Sequence, residues 1–177
     1  MPHRYLVRSL KDFFVYRVLH VDDTPHRIAL GVAIGIFVTW TPTIGLQMVL
    51  TVALATLLRA NKAVGVPFVW ISNPFTFLLI YLPAYVVGGF LLGGRYTLSA
   101  FSEALRNARA CQAPWWTWAH VKGFFEAFWP IYPAVWLGSV LIGGVLAVVA
   151  YVLVYRAVVV FRRFRARRGA AEDAPGE

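Results

Sequence analysis

The sequence is poor in charged residues and contains a single cysteine. Of its 177 residues, 14% are charged, while 59% are hydrophobic and 16% are aromatic. Soluble domains carry about 25% charged residues, so the composition argues against a water-soluble globular protein. The aromatic content argues against a disordered one. Cys111 has no second cysteine with which to form a disulfide or a thiolate metal site.

The motifs of common enzyme classes are also absent. There is no P-loop, no dinucleotide-binding glycine pattern and no H-E-x-x-H zinc motif. The four histidines, at positions 3, 20, 26 and 120, lack the spacing of a metal site. Asp22 and Asp23 precede Thr24-Pro25, a pattern typical of a helix start. We interpret the two aspartates as a cap and turn, with metal binding as the alternative. We expect no catalytic residues, no metal and no cofactor.

Basic residues outnumber acidic ones by 17 to 8, which gives a net charge of +9. Such an excess is typical of nucleic-acid-binding proteins. Here, however, the charges lie outside three long uncharged stretches, residues 28–58, 63–94 and 127–155. A membrane-spanning helix needs about 20 apolar residues, and each stretch is longer. The sequence therefore predicts an all-α, polytopic integral membrane protein whose partner is the lipid bilayer rather than nucleic acid.

Two of the three stretches are interrupted. The first is broken at Thr41-Pro42-Thr43-Ile44-Gly45, which divides it into 28–40 and 46–58. A helix of either half is about 20 Å long, shorter than the roughly 30 Å hydrocarbon core. This stretch is predicted to be either a re-entrant, broken helical hairpin or two thin spans. The second stretch is predicted to be a span kinked at Asn73-Pro74, and the third to be an uninterrupted span.

The segments around this membrane domain (residues 25–155) have their own patterns. In a helix, residues 1–24 place apolar side chains on one face and basic side chains on the other. They are predicted to form an amphipathic helix in the membrane interface. Residues 95–126 are predicted to lie along the bilayer surface, because five of the seven tryptophans fall between positions 115 and 136. Residues 156–177 are predicted to be a basic and then disordered cytoplasmic tail.

The distribution of basic residues predicts the orientation. Residues 1–27 hold five Lys or Arg, the tail after residue 155 holds six, and residues 95–126 hold four. Because basic segments stay in the cytoplasm, both termini are predicted to be cytoplasmic in a multi-pass membrane protein. We interpret the tail arginines as a topology anchor, with binding of an acidic lipid at Arg162, Arg163 and Arg165 as the alternative.

The interrupted backbone predicts a substrate site. Polar groups in a bent helix must face protein or a water-filled cavity, since lipid cannot satisfy them. The predicted helix breaks are Pro42 and Pro74, and the predicted rim charges are Arg59 and Lys62. The alternative is that the polar side chains only satisfy carbonyls freed at the prolines. The candidate substrate-binding residues at the two breaks are Thr41, Thr43, Gly45, Gln47, Asn73 and Thr76.

Several motifs together resemble a known bacterial family. They are P-x-x-G-x-Q at 42–47, R-x-N at 59–61 and N-P-x-T at 73–76, preceded by the run at 25–37. The chain resembles the domain of unknown function 2062 family over residues 5–155. The resemblance implies a small multi-spanning protein of the bacterial inner membrane. Some relatives carry the domain beside glycosyltransferase-like domains, which implies work on envelope lipids or glycans and leaves the activity open.

Two functions remain open from the sequence. The first is passive transport or translocation of a lipid or a small polar or anionic substrate through a site lined by the two broken helices. No Asp, Glu, Lys, Arg or His lies inside the three stretches, which disfavours coupled pumping. The second is a non-catalytic scaffold or regulatory subunit for cell-envelope enzymes. Glycine pairs at 31/35 and 89/93 favour close helix packing, within the chain or in a homo-oligomer.

Overall fold

The computed structural model describes residues 21–43, 45–73, 76–94, 96–110 and 117–172, with backbone only at 120, 121, 124 and 168–172. All regular secondary structure in these ranges is helical, which confirms the all-α prediction. Residues 1–20, which make up most of the predicted amphipathic helix at 1–24, lie outside the described residues. The elements are α1 (Pro25–Trp40), α2 (Gln47–Leu57), α3 (Lys62–Val69), α4 (Phe77–Leu91), α5 (Leu98–Ala110), α6 (Trp118–Phe128), a 3₁₀ turn (Trp129–Ile131) and α7 (Tyr132–Glu172).

The first uncharged stretch forms α1 and α2, with the break between them. The hydroxyl of Thr24 accepts a hydrogen bond from the Arg27 N–H at 3.3 Å, so Thr24 caps α1 and Pro25 takes the first helical position. The helix ends before Pro42, which disfavours helical backbone in the residue ahead of it. Gly45 then adopts φ +85°, a conformation that glycine takes without steric cost.

The second stretch forms two helices, and the interruption lies at Asn73, where the sequence predicted it. Helix α3 ends at Val69 and α4 begins at Phe77. Pro67 and Pro83 lie inside these helices and end neither of them. At Asn73 the side-chain amide oxygen accepts the Thr76 N–H at 3.1 Å and closes a turn. This side-chain hydrogen bond takes the place of a helical backbone hydrogen bond and separates α3 from α4.

The tail also differs from the prediction. Helix α7 continues beyond residue 155 to Glu172, where a basic and then disordered tail was expected. Arginine and alanine, which dominate residues 162–171, are good helix formers. Val158 is completely buried and anchors the extension to the rest of the chain. Residues 173–177 lie outside the described ranges.

One helix in the described part is long and apolar enough to cross a membrane. It covers residues 125–167, the continuous helical run that consists mostly of α7. Its most apolar window has a mean hydropathy of 2.5, and 22% of that window is buried. Three shorter helices, α1, α2 and α4, are also apolar.

The chain divides into two compact units. Among the described residues, the first unit comprises 21–38, 45–70 and 146–172. Its core joins Ile28 and Val32 of α1 to Val64 of α3 and to Val154 and Val158 of α7. A second cluster joins Ile34 and Val38 to Ala55 and Ala60, so α1 and α2 pack as an antiparallel hairpin.

Glycines bring helix backbones into direct contact in the first unit. A Cβ atom on Gly31 would collide with the carbonyl of Asn61, and one on Gly35 would collide with the carbonyl of Gly65. The predicted packing role of the 31/35 pair is therefore confirmed. Close backbone approach of this kind is typical of helices packed in membranes.

The second unit comprises residues 39–43, 71–73, 76–94, 96–110 and 117–145 of the described chain. Its core is aromatic: Tyr81 and Tyr85 of α4 pack with Phe101 of α5 and with Phe128 and Ile131. Helices α4 and α7 touch through glycines here, because a Cβ on Gly88 would meet the Ala134 carbonyl and one on Gly138 would meet the Ala84 carbonyl.

The predicted 89/93 glycine pair is wrong as a helix-packing motif. Gly93 lies beyond the end of α4 with φ +87° and nothing near its Cβ position, and a Cβ on Gly89 would meet Tyr96. The neighbouring Gly88 faces α7, because helical rotation turns residue 89 about 100° away from the direction of residue 88.

We predict that Gly138→Ala destabilises the protein and that Gly144→Ala on the same helix does not. The new methyl group at 138 meets the backbone of α4, which cannot rotate aside, whereas a Cβ at 144 has no atom within 4 Å. Overpacking of this kind costs about 1–3 kcal/mol. Thermal unfolding of the purified variants in mild detergent measures the difference. Equal melting temperatures would contradict the α4–α7 contact.

Candidate functional site

The first predicted break is closed by hydrogen bonds within the second unit. Thr41 is buried, and its hydroxyl lies 3.1 Å from that of Thr43. The hydroxyl of Tyr81 donates to the Thr41 carbonyl at 3.1 Å, and that of Tyr132 donates to the Pro42 carbonyl at 3.3 Å. The carbonyls of Thr41 and Pro42 are thus satisfied by two tyrosines.

The cavity beside this break is small. It has a volume of about 20 Å³ and is lined by apolar and aromatic groups of Pro42, Phe77, Tyr81, Phe128 and Tyr132 among others. One water molecule needs roughly 10–15 Å³ measured in this way. The cavity therefore has room for a water molecule and not for a lipid headgroup.

The second predicted break is a self-contained turn. Asn73 is exposed, and its side chain caps the Thr76 N–H. The Thr76 hydroxyl in turn accepts the Asn73 N–H at 2.9 Å and donates to the Ile71 carbonyl. These contacts fit the alternative interpretation, in which the polar side chains only satisfy backbone groups at the break. Pro74 lies outside the described residues.

The candidate substrate residues divide between the two units. Thr41, Thr43, Asn73 and Thr76 belong to the second unit, while Gly45 and Gln47 belong to the first. Gln47 is buried at the start of α2, and Gly45 is exposed.

The predicted rim charges Arg59 and Lys62 are exposed in the first unit, at the turn between α2 and α3. Arg59 adopts φ +54° and ends α2 in a Schellman motif, in which the Ala60 N–H donates to Ala55 at 2.8 Å and the Arg59 N–H donates to Thr56 at 3.2 Å. Its carbonyl then points to Arg27, whose Nε donates to it at 2.8 Å.

A polar cluster at the same end of the first unit was not expected from the sequence. It consists of Asp23, Arg27, Asn61 and Arg162, and we call it the Asp23 cluster. Asp23 is mostly buried, pairs with Arg27 at 3.0 Å and accepts the Asn61 amide at 2.9 Å. Arg162 of α7 donates to the carbonyls of Val21 and Asp23. The cluster connects the start of α1, the turn before α3 and Arg162 of α7.

Asn61 satisfies several groups at once. Its backbone N–H donates to the Arg27 carbonyl at 2.9 Å, and its side-chain oxygen caps α3 by accepting the Val64 N–H at 3.1 Å. Its side-chain nitrogen donates to Asp23. The i, i+4 spacing of Asp23 and Arg27 could have indicated their ion pair, but no local signal connects either residue to Asn61.

The environment of Asp23 favours its charged form. Burial by itself raises the pKa of this carboxyl. Hydrogen bonds from the Asn61 amide and the Thr24 N–H, together with the positive charge of Arg27, outweigh burial and hold the pKa below the ordinary value of 3.8. Asp23 is therefore ionised near neutral pH, where its carboxylate pairs with Arg27 and Asn61.

An open cleft of about 400 Å³ lies beside the Asp23 cluster. Its walls are the segment from Val21 to Pro25 and one face of α7, formed by Phe161, Arg162 and Arg165. Arg163 is exposed and is not among the residues that line it. Within the described ranges, no three His, Cys, Asp or Glu side chains are grouped so that they could hold a metal ion.

Comparison with known proteins assigns a family. A family model described as "Uncharacterized protein conserved in bacteria (DUF2062)" matches residues 8–167. The chain belongs to this family. The resemblance inferred from the motifs is therefore confirmed. No curated protein and no solved structure matches the chain.

The geometry gives a physical reason for two of the motifs that identified this DUF2062 member. In R-x-N, Arg59 supplies the left-handed end of α2, and Asn61 supplies the cap of α3 and the amide that binds Asp23. In N-P-x-T, the asparagine and threonine bond each other across the turn. Both motifs hold helix ends together.

We predict that Asp23→Asn lowers the free energy of unfolding by about 1–3 kcal/mol, since hydrogen bonds to a charged group contribute about that much. The exposed neighbour Asp22 is the matched control, and Asp22→Asn should stay within about 0.5 kcal/mol of the native protein. Unfolding of the purified protein near neutral pH measures both.

The same substitution predicts a change in acid sensitivity. Because folding lowers the pKa of Asp23, its stabilisation is present above the ordinary value of 3.8 and is lost as the pH falls through the lower folded value. Asp23→Asn should remove this part of the acid-induced loss, while Asp22→Asn should keep it. Identical acid profiles for the native protein and Asp23→Asn would contradict the ion-pair assignment.

Proposed function

We propose that the protein is a multi-pass protein of the bacterial inner membrane with both termini in the cytoplasm. The support is the apolar surface of the shorter helices as well as of α7. Leu79 and Phe90 of α4 are 73% and 80% exposed, and Val148 and Leu153 of α7 are also exposed. Large apolar surfaces on several helices are typical of contact with lipid.

The Asp23 cluster supports the orientation. It gathers the start of α1, the α2–α3 turn and the Arg162 end of α7, so the α1–α2 hairpin begins and ends at one polar level. This geometry suits a hairpin that enters and leaves on the same side, whether it is re-entrant or made of two thin spans. The abundance of arginine at this level favours the cytoplasmic face.

Within this membrane placement, we propose passive translocation of a lipid with an anionic headgroup. The observation that carries the proposal is the open cleft beside the Asp23 cluster, where Arg162 and Arg165 follow the apolar part of α7. Arginine binds phosphate through parallel N–H donors. Arg162 already donates to two carbonyls, so Arg165 is the headgroup ligand and Arg162 positions the wall of the cleft.

The proposal does not depend on the two breaks as a substrate site. The hydrogen bonds of Thr41 and Asn73 are those of helix ends. The same observation favours the alternative function, a non-catalytic scaffold for envelope enzymes, because a scaffold needs no polar site at membrane depth.

We predict that reporters fused near residues 3 and 175 are cytoplasmic and that a reporter at residue 110 is periplasmic. The reason is the excess of Lys and Arg in both terminal segments. Alkaline phosphatase and fluorescent-protein fusions measure the two sides. A periplasmic signal at residue 175 would contradict an even number of crossings.

We predict that the purified full-length protein accelerates the exchange of fluorescent phosphatidylglycerol between leaflets of vesicles made of phosphatidylethanolamine and phosphatidylglycerol. Arg165→Gln should slow this exchange about three- to tenfold, which corresponds to about 0.7–1.4 kcal/mol, the contribution of one ordinary hydrogen bond. Arg163→Gln is the matched control and should keep the native rate. Bleaching of the outer leaflet with dithionite measures the exchange.

Two results would overturn the translocation proposal. One is exchange no faster than in protein-free vesicles at a reconstitution level confirmed by protein recovery. The other is equal slowing by Arg165→Gln and Arg163→Gln. Recovery of one stable envelope enzyme by cross-linking, together with either result, would establish the scaffold function instead.

A further inference from the structure

Helix α6 and the following 3₁₀ turn present a groove that the proposed translocation does not use. The groove has a volume of about 540 Å³ and is lined by Trp118, Lys122, Phe125, Glu126 and Trp129. These positions follow the spacing i, i+4, i+7, i+8 and i+11, which places them on one face of a helix. All five belong to the second unit.

The aromatic walls of this groove are exposed to an unusual degree. Trp118 is 78% exposed and Trp129 is 70% exposed. Tryptophan combines a large apolar ring with one N–H donor and prefers the headgroup level of a bilayer, where both can be satisfied. Two such rings at the ends of one groove indicate a surface for lipid headgroups.

The charges between the rings select the kind of headgroup. The Lys122 ammonium and the Glu126 carboxylate are 3.7 Å apart and are both about two-thirds exposed. An exposed pair of this kind contributes only about 0.2–1 kcal/mol, so each partner can exchange the other for a ligand at little cost. One positive and one negative group side by side complement a zwitterion. A purely anionic headgroup would meet Glu126, and a purely cationic ligand would meet Lys122.

We propose that this groove binds the zwitterionic headgroup of phosphatidylethanolamine. Glu126 and the neighbouring Trp129 ring take the ammonium, since carboxylates and aromatic faces attract cations, and Lys122, one turn from Trp118, takes the phosphate. The inference rests on the membrane placement proposed above and is independent of translocation.

Helix α5 offers a matched control. Glu103 and Arg106 form an exposed ion pair at 3.8 Å, similar in distance and exposure to that of Lys122 and Glu126. Helix α5 contains no tryptophan. Charge reversal at Glu103 therefore changes the net charge of the protein as charge reversal at Glu126 does, without altering an aromatic groove.

The test is native mass spectrometry of the detergent-solubilised full-length protein with equal amounts of phosphatidylethanolamine and phosphatidylglycerol. Because the cleft at Arg165 is proposed to hold an anionic lipid, every protein compared carries Arg165→Gln, and in this background the otherwise native protein should retain phosphatidylethanolamine several-fold in preference. Trp129→Leu should reduce this preference about threefold, as expected for one exposed cation–π contact. Glu126→Lys should shift the preference towards phosphatidylglycerol, and Glu103→Lys should leave it unchanged.

Equal retention of the two lipids by the Arg165→Gln protein would overturn the proposal, and so would equal effects of Glu126→Lys and Glu103→Lys in that background. Cross-linking from position 118 to a protein rather than to lipid would also overturn it. Alkaline carbonate extraction of membranes separates this outcome from a failure of the membrane placement. A protein released by carbonate refutes the placement, whereas a retained protein without lipid preference refutes only the groove.

Discussion

The contact between Gly31 and the carbonyl of Asn61 is the constraint on which the first unit depends. Because that carbonyl occupies the place of a side chain at residue 31, α1 can approach the turn before α3 only at a glycine. The approach brings Asn61 within reach of the Arg27 carbonyl and the Asp23 carboxylate. The absence of a side chain at Gly31 therefore allows both the packing of α1 against this turn and the Asp23 cluster at the start of α1.

The described polar groups at the two helix breaks follow a common rule. Lipid satisfies no backbone donor or acceptor, so every interruption of an apolar helix needs an internal partner. The Tyr81 hydroxyl donates a hydrogen bond to the carbonyl of Thr41, and the Tyr132 hydroxyl donates one to the carbonyl of Pro42. The Asn73 side chain closes its own turn. Threonine, proline and asparagine at the breaks thus act in the architecture. The side chains proposed to bind lipid headgroups are not part of these breaks.

The two proposed lipid-binding surfaces differ in charge and therefore in chemistry. The cleft beside the Asp23 cluster has two arginines in its wall, and one of the acids nearby, Asp23, is already paired with Arg27. The groove on α6 has one charge of each sign between tryptophans. An arginine-lined cleft favours a phosphate with no accompanying cation, whereas a balanced pair favours a zwitterion.

The sequence by itself determined the features that depend on neighbouring residues. These are the helical class, the apolar stretches, the break around Pro42 and Gly45, the break at Asn73, the cap at Thr24 and the family. Only the structure showed which prolines leave a helix uninterrupted and where the last helix ends. Pro67 and Pro83 remain inside helices, and α7 continues past residue 155 where Val158 is buried. The pairing of Asp23 with Asn61 also escaped prediction, because packing at a glycine brings the two together and neither residue carries a local signal for the other.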